Sequence, residues 1–205
     1  MAEPTQPPGA RDATGPATSS LVDRRIAVAL TGGIACYKTA TLVSRLAQAG
    51  ADVRVLMTEP ATRFITPLTL QSLSGKAVLT SIWQVDDQPD SQHVGVARWC
   101  DLMIIAPATA STLARLAAGL AEDVVSLVAC ALPRATPVIL APAMNEQMWQ
   151  NPVTQRNVAT VRDTLGYHLV GPDEGWQACR TAGPGRMAEP EAIFDAVVQT
   201  LAPTK

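Results

Sequence analysis

From residue 26 onward, short unbroken apolar runs alternate with longer segments of helical period. Ile26-Ala27-Val28-Ala29-Leu30 is a continuous apolar run of strand length, as in a strand buried on both faces. Thr31-Gly32-Gly33 breaks it. Over 34–49, apolar residues at 35, 42, 43, 46 and 49 mark one face of a helix, and Gly50 stands where a helix ends. A second strand follows over 52–57, so the segment reads strand, glycine turn, helix, strand: a βαβ unit. The pattern then predicts a strand over 101–106, helices over 109–118 and 122–132, and a strand over 137–140. A helix over 152–165, a short strand over 167–170 and a last helix over 191–201 complete it. Strands alternating with helices predict an α/β fold built on an open parallel sheet. Two stretches, 76–92 and 171–187, lack either period and are expected to be long loops, which in a compact domain are often functional. Residues 1–23 contain Pro4, Pro7, Pro8, Gly9, Gly15 and Pro16 with little apolar surface. They read as a disordered tail, leaving 24–205 as one domain.

Composition narrows the classes. The chain has 205 residues, 47% of them hydrophobic, which excludes a disordered protein. Only 17% are charged, against roughly 25% in an ordinary domain. That deficit points to surface covered in an oligomer. A net charge of −2 and 4% aromatics argue against a nucleic-acid partner. There is no apolar run of about 18 residues to cross a membrane, and no secretory signal. The four cysteines form no CxxC pair, and with two histidines they give no zinc spacing, so no metal is expected. A reduced, cytoplasmic protein with free thiols follows.

In an open parallel sheet, ligands sit beyond the carboxyl ends of the strands. Thr31-Gly32-Gly33 follows the first strand there, Thr58 the second, and Pro107-Ala108-Thr109-Ala110-Ser111-Thr112 the third. Glycines admit a ligand to the backbone and helix starts favour anions. Neither GxGxxG nor a P-loop is present. Two such turns on one edge point to a phosphate-bearing cofactor, although each hydroxyl also suits a helix cap. After the fourth strand, Asn145 suits either a cap or a neutral hydrogen bond to a carboxylate or amide. Met144, Met148 and Trp149 suit either the core or the flank of a flat ring. Farther on, Cys179 lies in a polar loop with Gly183, Gly185 and Arg186. A movable lid carrying a thiol and a guanidinium is one reading, and a plain surface loop the other. Cys36, Cys100 and Cys130 read as small packing residues and His168 as structural. His93 precedes the third strand by a short segment and could reach the same edge.

The segments 31–38 (TGGIACYK), 106–112 (APATAST), 142–149 (PAMNEQMW) and 178–187 (ACRTAGPGRM), together with His93, resemble the homo-oligomeric flavin-containing cysteine decarboxylases. The likeness runs from about residue 24 to 201. It implies a flavodoxin-like Rossmann three-layer sandwich and FMN as cofactor. It also implies self-association as a homotrimer, or a multiple of trimers, with sites between subunits. The implied activity is decarboxylation of 4′-phosphopantothenoylcysteine in coenzyme A synthesis, and the implied partner is a phosphopantothenate–cysteine ligase, either on a separate chain or joined to this one. The alternatives are a peptide's C-terminal cysteine as substrate, or a non-catalytic regulatory subunit. By the same resemblance Gly32, Gly33, Ile34, Thr58, Ala108 and Thr109 would hold FMN, with Ser111, Thr112, Ala143 and Met144. His93, Asn145 and Cys179 would be catalytic, Cys179 as proton donor. Asn145, Met148, Arg180 and Arg186 would bind substrate. Oxidation of the substrate's CH2–SH group first gives the departing carboxylate an electron sink. One departure stands out: Arg180 follows Cys179 where the resembled clamp has glycine.

Overall fold

The computed structural model describes residues 21–83 and 92–202. In chain order the elements are β1 (Arg25–Leu30), α1 (Cys36–Gln48), β2 (Asp52–Met57), α2 (Pro67–Ser74) and α3 (Gln92–Trp99). There follow β3 (Leu102–Ala108), α4 (Ala110–Ala118), α5 (Val124–Ala131), β4 (Val138–Pro142), α6 (Glu146–Gln150) and α7 (Pro152–Ala159). β5 (His168–Leu169), β6 (Asp173–Trp176), β7 (Ala182–Arg186) and α8 (Pro190–Leu201) close the chain.

The first five strands form one parallel sheet in the order β2-β1-β3-β4-β5. Side-chain alternation divides it into two cores. Ile26, Val28, Leu30, Leu102 and Ile104 face one layer, with Leu42, Val43 and Leu46 of α1 and Ile193 and Val197 of α8. Ala27, Ala29, Met103 and Ile105 face the other, with Leu113 of α4, Val125 and Val128 of α5 and Val158 of α7. Because both faces are covered, β1 and β3 carry no polar face, which is why they read as unbroken apolar runs. The architecture is the expected α/β three-layer sandwich.

Several local expectations are corrected. Residues 76–92 are not all loop: Leu79 pairs with the outer edge of β2, its N–H donating to Val55 O at 2.9 Å and its carbonyl accepting from Met57 N at 2.8 Å. That pairing covers part of an edge strand. The same stretch ends in α3, and residues 84–91 lie outside the described set. A 3-10 turn at Glu59–Arg63 and α2 occupy a region for which no element is predicted from the sequence. β3 runs on to Ala108, two residues past its expected end, and the helix over 152–165 finishes as a π turn at Thr160–Thr164. Residues 171–187 form an antiparallel hairpin of β6 and β7 in place of a loop, because main-chain pairing there does not need an apolar pattern. The expected tail falls outside the described residues up to residue 20. Leu21, however, is fully buried in the first core, and Leu21 O accepts from Arg24 N at 3.1 Å, so the core includes a residue ahead of the expected boundary at 24. Among the described residues, no helix is long and apolar enough to cross a membrane.

α5 starts at a full capping box. Asp123 accepts from Val125 N and Ser126 N, both at 2.9 Å, while Ser126 Oγ accepts from Asp123 N. Asp123→Ala strands these donors and is expected to cost about 1 kcal/mol. In a thermal melt this reads as a fall in Tm of roughly 2–4 °C.

Candidate active site

β1 and β3 are neighbours, but the chain leaves them in opposite directions: β1 continues to β2 on one side, β3 to β4 on the other. The connections diverge and leave a crevice at the carboxyl ends. A cavity of about 850 Å³ fills it, bordered by the starts of α1 and α4. α1 has no side-chain cap; Cys36 N and Lys38 N donate to the carbonyls of Gly33 and Ala35 at 3.1 and 3.0 Å, so what the helix start offers an anion is chiefly the positive end of its dipole. α4 is capped by Thr109, which accepts from Thr112 N at 3.3 Å.

Thr31 joins these two helix starts. Its hydroxyl donates to Pro107 O at 2.6 Å and accepts from Thr109 N at 3.2 Å. The turn after β1 also lies hard against the one after β2: a Cβ on Gly32 would stand 2.5 Å from Pro60 Cβ. Thr58, at that second turn, is buried and its Oγ1 has no hydrogen-bond partner. Buried hydroxyls are normally satisfied, so an unpaired one on a cavity wall marks a place for a ligand's polar atom. An open helix start, an orphan hydroxyl and apolar walls fit a flat molecule carrying a phosphate.

The roof is the β6–β7 hairpin. Its tip is a turn in which Arg180 N donates to Gln177 O at 2.9 Å and Gln177 N to Thr181 O at 2.8 Å. A three-residue hairpin loop of this kind ends on a left-handed residue. Arg180 takes that place, at φ 65°. The roof docks on the chain after β4, where Met144 N donates to Gly185 O at 2.9 Å. Gly185 has φ 127°, and a Cβ there would meet Met144 O at 2.3 Å, so the approach requires glycine. The base is tied to α1: Lys38, buried, donates from Nζ to Met187 O and to Glu189 Oε1, both at 3.0 Å. The same Glu189 oxygen accepts from Arg186. Burial, then the nearby Arg186 charge, lowers the Lys38 pKa.

Docking brings Asn145 and Cys179 together. Asn145 Oδ1 accepts from Gln147 N at 2.9 Å and caps α6, which leaves Nδ2 to donate to Cys179 Sγ at 3.4 Å. The two readings of Asn145 are thus two ends of one amide. Thr181 Oγ1 lies 3.0 Å from Sγ. Hydrogen bonds with Thr181 first and Asn145 second hold the Cys179 thiol below its ordinary range. A thiol so placed is a stronger acid than a free one and remains exposed to a ligand. The remaining cysteines differ: burial raises Cys36 and pushes Cys100 up to about 11. Cys130, expected in the core, is exposed at the end of α5, and His168 is exposed on the edge strand β5.

Of the residues expected at the site, Gly32, Gly33, Ile34, Thr58, Thr109, Ser111 and Thr112 line the cavity. So do Ala143, Met144, Asn145, Met148, Cys179 and Arg186. Three do not. Ala108 is fully buried in the second core because β3 extends through it; only its carbonyl serves the edge, accepting from Ala143 N at 3.1 Å. Arg180 is an exposed tip residue and is not part of the lining. His93 is half-buried on α3, off the cavity. Conversely, the wall includes Tyr37, Lys38, Arg115, Trp176 and Gln177, which sequence reasoning did not single out. Their only sequence signal was position: Tyr37 and Lys38 lie within the segment 31–38, Arg115 three residues after 106–112, and Trp176 and Gln177 directly before 178–187.

Comparison with known proteins places this geometry. A family model described as Flavoprotein matches residues 15–202. The chain is 47% identical over 174 residues to the coenzyme A biosynthesis bifunctional protein CoaBC of Haemophilus influenzae, covering 85% of this chain and 43% of that protein. It is 46% identical over 184 residues to CoaBC of Escherichia coli K12, covering 90% and 45%. The chain therefore spans about half the length of the curated relatives it matches. Among solved structures, a PPC decarboxylase mutant complexed with pantothenoylaminoethenethiol superposes with a TM-score of 0.78 at 30% identity, covering 88% of this chain and all of that one. The FMN-dependent cysteine decarboxylase SpaF gives 0.75 at 30% identity, covering 87% and 98%.

The left-handed Arg180 yields a stability test. Arg180→Gly and Arg180→Ala both delete the guanidinium, but only glycine relieves the backbone. The glycine variant is expected to exceed the alanine variant by about 1 kcal/mol, measured from hydrogen exchange of the hairpin amides. Equal protection in the two variants would contradict the turn described.

Proposed function

The chain belongs to the Flavoprotein family, and from that premise we propose that it binds FMN and decarboxylates 4′-phosphopantothenoylcysteine to 4′-phosphopantetheine, a step of coenzyme A synthesis. The observation that carries this reading is the thiol of Cys179, held by neutral hydrogen bonds beside Asn145 on a hairpin that roofs a cavity suited to a phosphate-bearing ring. The relatives with decarboxylase and FMN in their names support the same assignment.

The residues fit FMN. The start of α1 after Gly32 and Gly33, with Thr58 Oγ1, would meet its polar groups, and Thr109, Ser111 and Thr112 would line its other side. Ala143 and Met144 would lie against the ring. Bound FMN would supply the two-electron oxidation of the thiol-bearing substrate carbon that lets carbon dioxide leave, and would return the same two electrons so that the product is the saturated thiol. Asn145 Nδ2 orients the substrate's carboxylate or adjoining amide without placing a charge beside it; a cation there would stabilise the ground state and oppose departure. Met148 and Arg186 flank the entering chain. Cys179 then gives its proton to the substrate carbon, and the hairpin excludes water meanwhile. Arg180, exposed at the hairpin tip and outside the lining, would reach only the substrate's outer, anionic end.

His93 lies off the cavity of its own chain. The proposed assembly, a homotrimer or multiple of trimers, would bring His93 of one copy to the site of another. Exposed Ile34, Tyr37, Phe64 and Leu68 are consistent with such burial. The ligase that joins cysteine to phosphopantothenate is the proposed functional partner. Four free thiols suit a reducing cytoplasm.

Purified protein is expected to show flavin absorbance and to release carbon dioxide from 4′-phosphopantothenoylcysteine. FMN-loaded protein inert toward that compound would sink the proposal, and release only from a peptide ending in cysteine would move the substrate to peptides. Cys179→Ser should keep FMN and accumulate the oxidised enethiol product, read by mass spectrometry as two hydrogens lighter than 4′-phosphopantetheine. Because the acid must be protonated, kcat is expected to fall as pH rises through the Cys179 pKa. The hydrogen bonds that lower that pKa set the fall below the ordinary thiol value of about 8.5, and Thr181→Val should move it upward in a pH–rate profile.

A further inference from the structure

Gln177 immediately precedes the turn that carries Cys179, and its side chain is buried at 7% exposure. Every hydrogen-bonding direction of its amide is used. Oε1 accepts from Glu146 N at 3.2 Å and from Cys179 Sγ at 3.4 Å. Nε2 donates to Gly183 O at 3.2 Å and to Pro184 O at 2.8 Å. These partners lie on three separate pieces of chain: the tip, β7 and the start of α6. A carboxamide has two donors and two acceptor sites, so its capacity is filled. Its partners include an N–H one residue after Asn145, the residue that touches the thiol.

We propose that Gln177 is a positioning residue for Cys179: its buried amide locks the hairpin tip to the first turn of α6 and thereby sets the contact between Asn145 and the thiol. Gln177 acts through Cys179 and need not touch substrate. The proposal rests on the reading of Cys179 as the proton donor, but it makes a claim about the thiol that is measurable without turnover. The groups touching Sγ are neutral. The charged residues on the packed elements are Arg180 beside it, Asp173, Glu174 and Arg186 on the hairpin strands, and Glu146 opening α6.

The test titrates the thiol. In a Cys130→Ser background, with Cys36 and Cys100 buried, the pH dependence of iodoacetamide alkylation reports Cys179, since the thiolate is the nucleophile. Gln177→Met keeps the length and removes both ends of the amide. It should raise the midpoint by about half a unit to one unit, which lowers the alkylation rate at pH 7, relative to its own plateau, about three- to ten-fold. Asn145→Ala alone should raise it similarly, and the double variant no further than the larger single shift, because both changes remove one contact. Gln177→Glu, which cannot donate to the Gly183 and Pro184 carbonyls, should raise it too. A midpoint that falls marks Gln177 as only an acceptor for the S–H and overturns the proposal. So do an unchanged midpoint, additive shifts, or loss of the whole fold by circular dichroism in both Gln177 variants. Carbon dioxide release is assayed on the same proteins: midpoints behaving as stated with no release from any of them would retain the positioning role and remove the decarboxylase reading.

Discussion

A single main-chain bond, from Met144 N to Gly185 O at 2.9 Å, decides whether the cavity has a roof. It forms only because position 185 has no side chain; a Cβ would stand 2.3 Å from Met144 O. The contact of Cys179 with Asn145 follows from that approach, whereas its contact with Thr181 is made within the hairpin tip. Once β7 lies on the chain after β4, Gln177 Oε1 meets Glu146 N and Asn145 Nδ2 meets Cys179 Sγ. The ion pair of Lys38 with Glu189 fixes the other end, on the helix that opens the cavity floor. Its partial burial makes loss of Glu189 the costlier change: Lys38 would keep only the Met187 carbonyl, whereas Glu189 without Lys38 would keep Arg186. The hairpin is therefore held at its tip by neutral groups and at its base by charge.

The floor and the roof do different physical work. The floor is the rigid edge of a sheet buried on both faces, where Thr31 ties the starts of α1 and α4. Its assets are helix dipoles and a vacant hydroxyl at Thr58, which suit binding. The roof is a two-stranded element outside the main sheet, and such a pair is only marginally stable alone. It owes its order to docking, which is the condition for a part that opens to admit a ligand and closes to exclude water.

The sequence revealed the floor better than the roof for a definite reason. Buried parallel strands and amphipathic helices leave periodic hydrophobic patterns, so β1, β2, α1 and α8 appear where apolar periodicity put them. β3 overran its expected end because Pro107 and Ala108 look like a turn while the backbone continues along β4. The hairpin was hidden because Asp173–Trp176 and Ala182–Arg186 contain few apolar residues; their pairing is main-chain chemistry, and main-chain atoms are the same in every residue. Cys179 and Asn145 were legible as chemistry, but their contact depends on an approach of 34 residues across a glycine. Gln177 gave no signal at all, since a glutamine in a polar loop looks solvated until its four partners are in place.

The electrostatic character of the thiol follows from this division. Under the proposed function, a proton donor beside a carboxylate substrate would face a conflict: a neighbouring cation would acidify it, yet would also hold the carboxylate. Here the nearest groups are an amide and two hydroxyl- or amide-bearing side chains, so acidification comes through directed hydrogen bonds with Asn145 and Thr181. Directed bonds act over one contact distance, whereas a charge acts over many ångströms. The acid can then be strengthened without altering the field at the carboxylate, provided its geometry is held tightly. That proviso is why a filled, buried amide belongs beside an exposed thiol, and why the guanidinium of Arg186 is turned to Glu189.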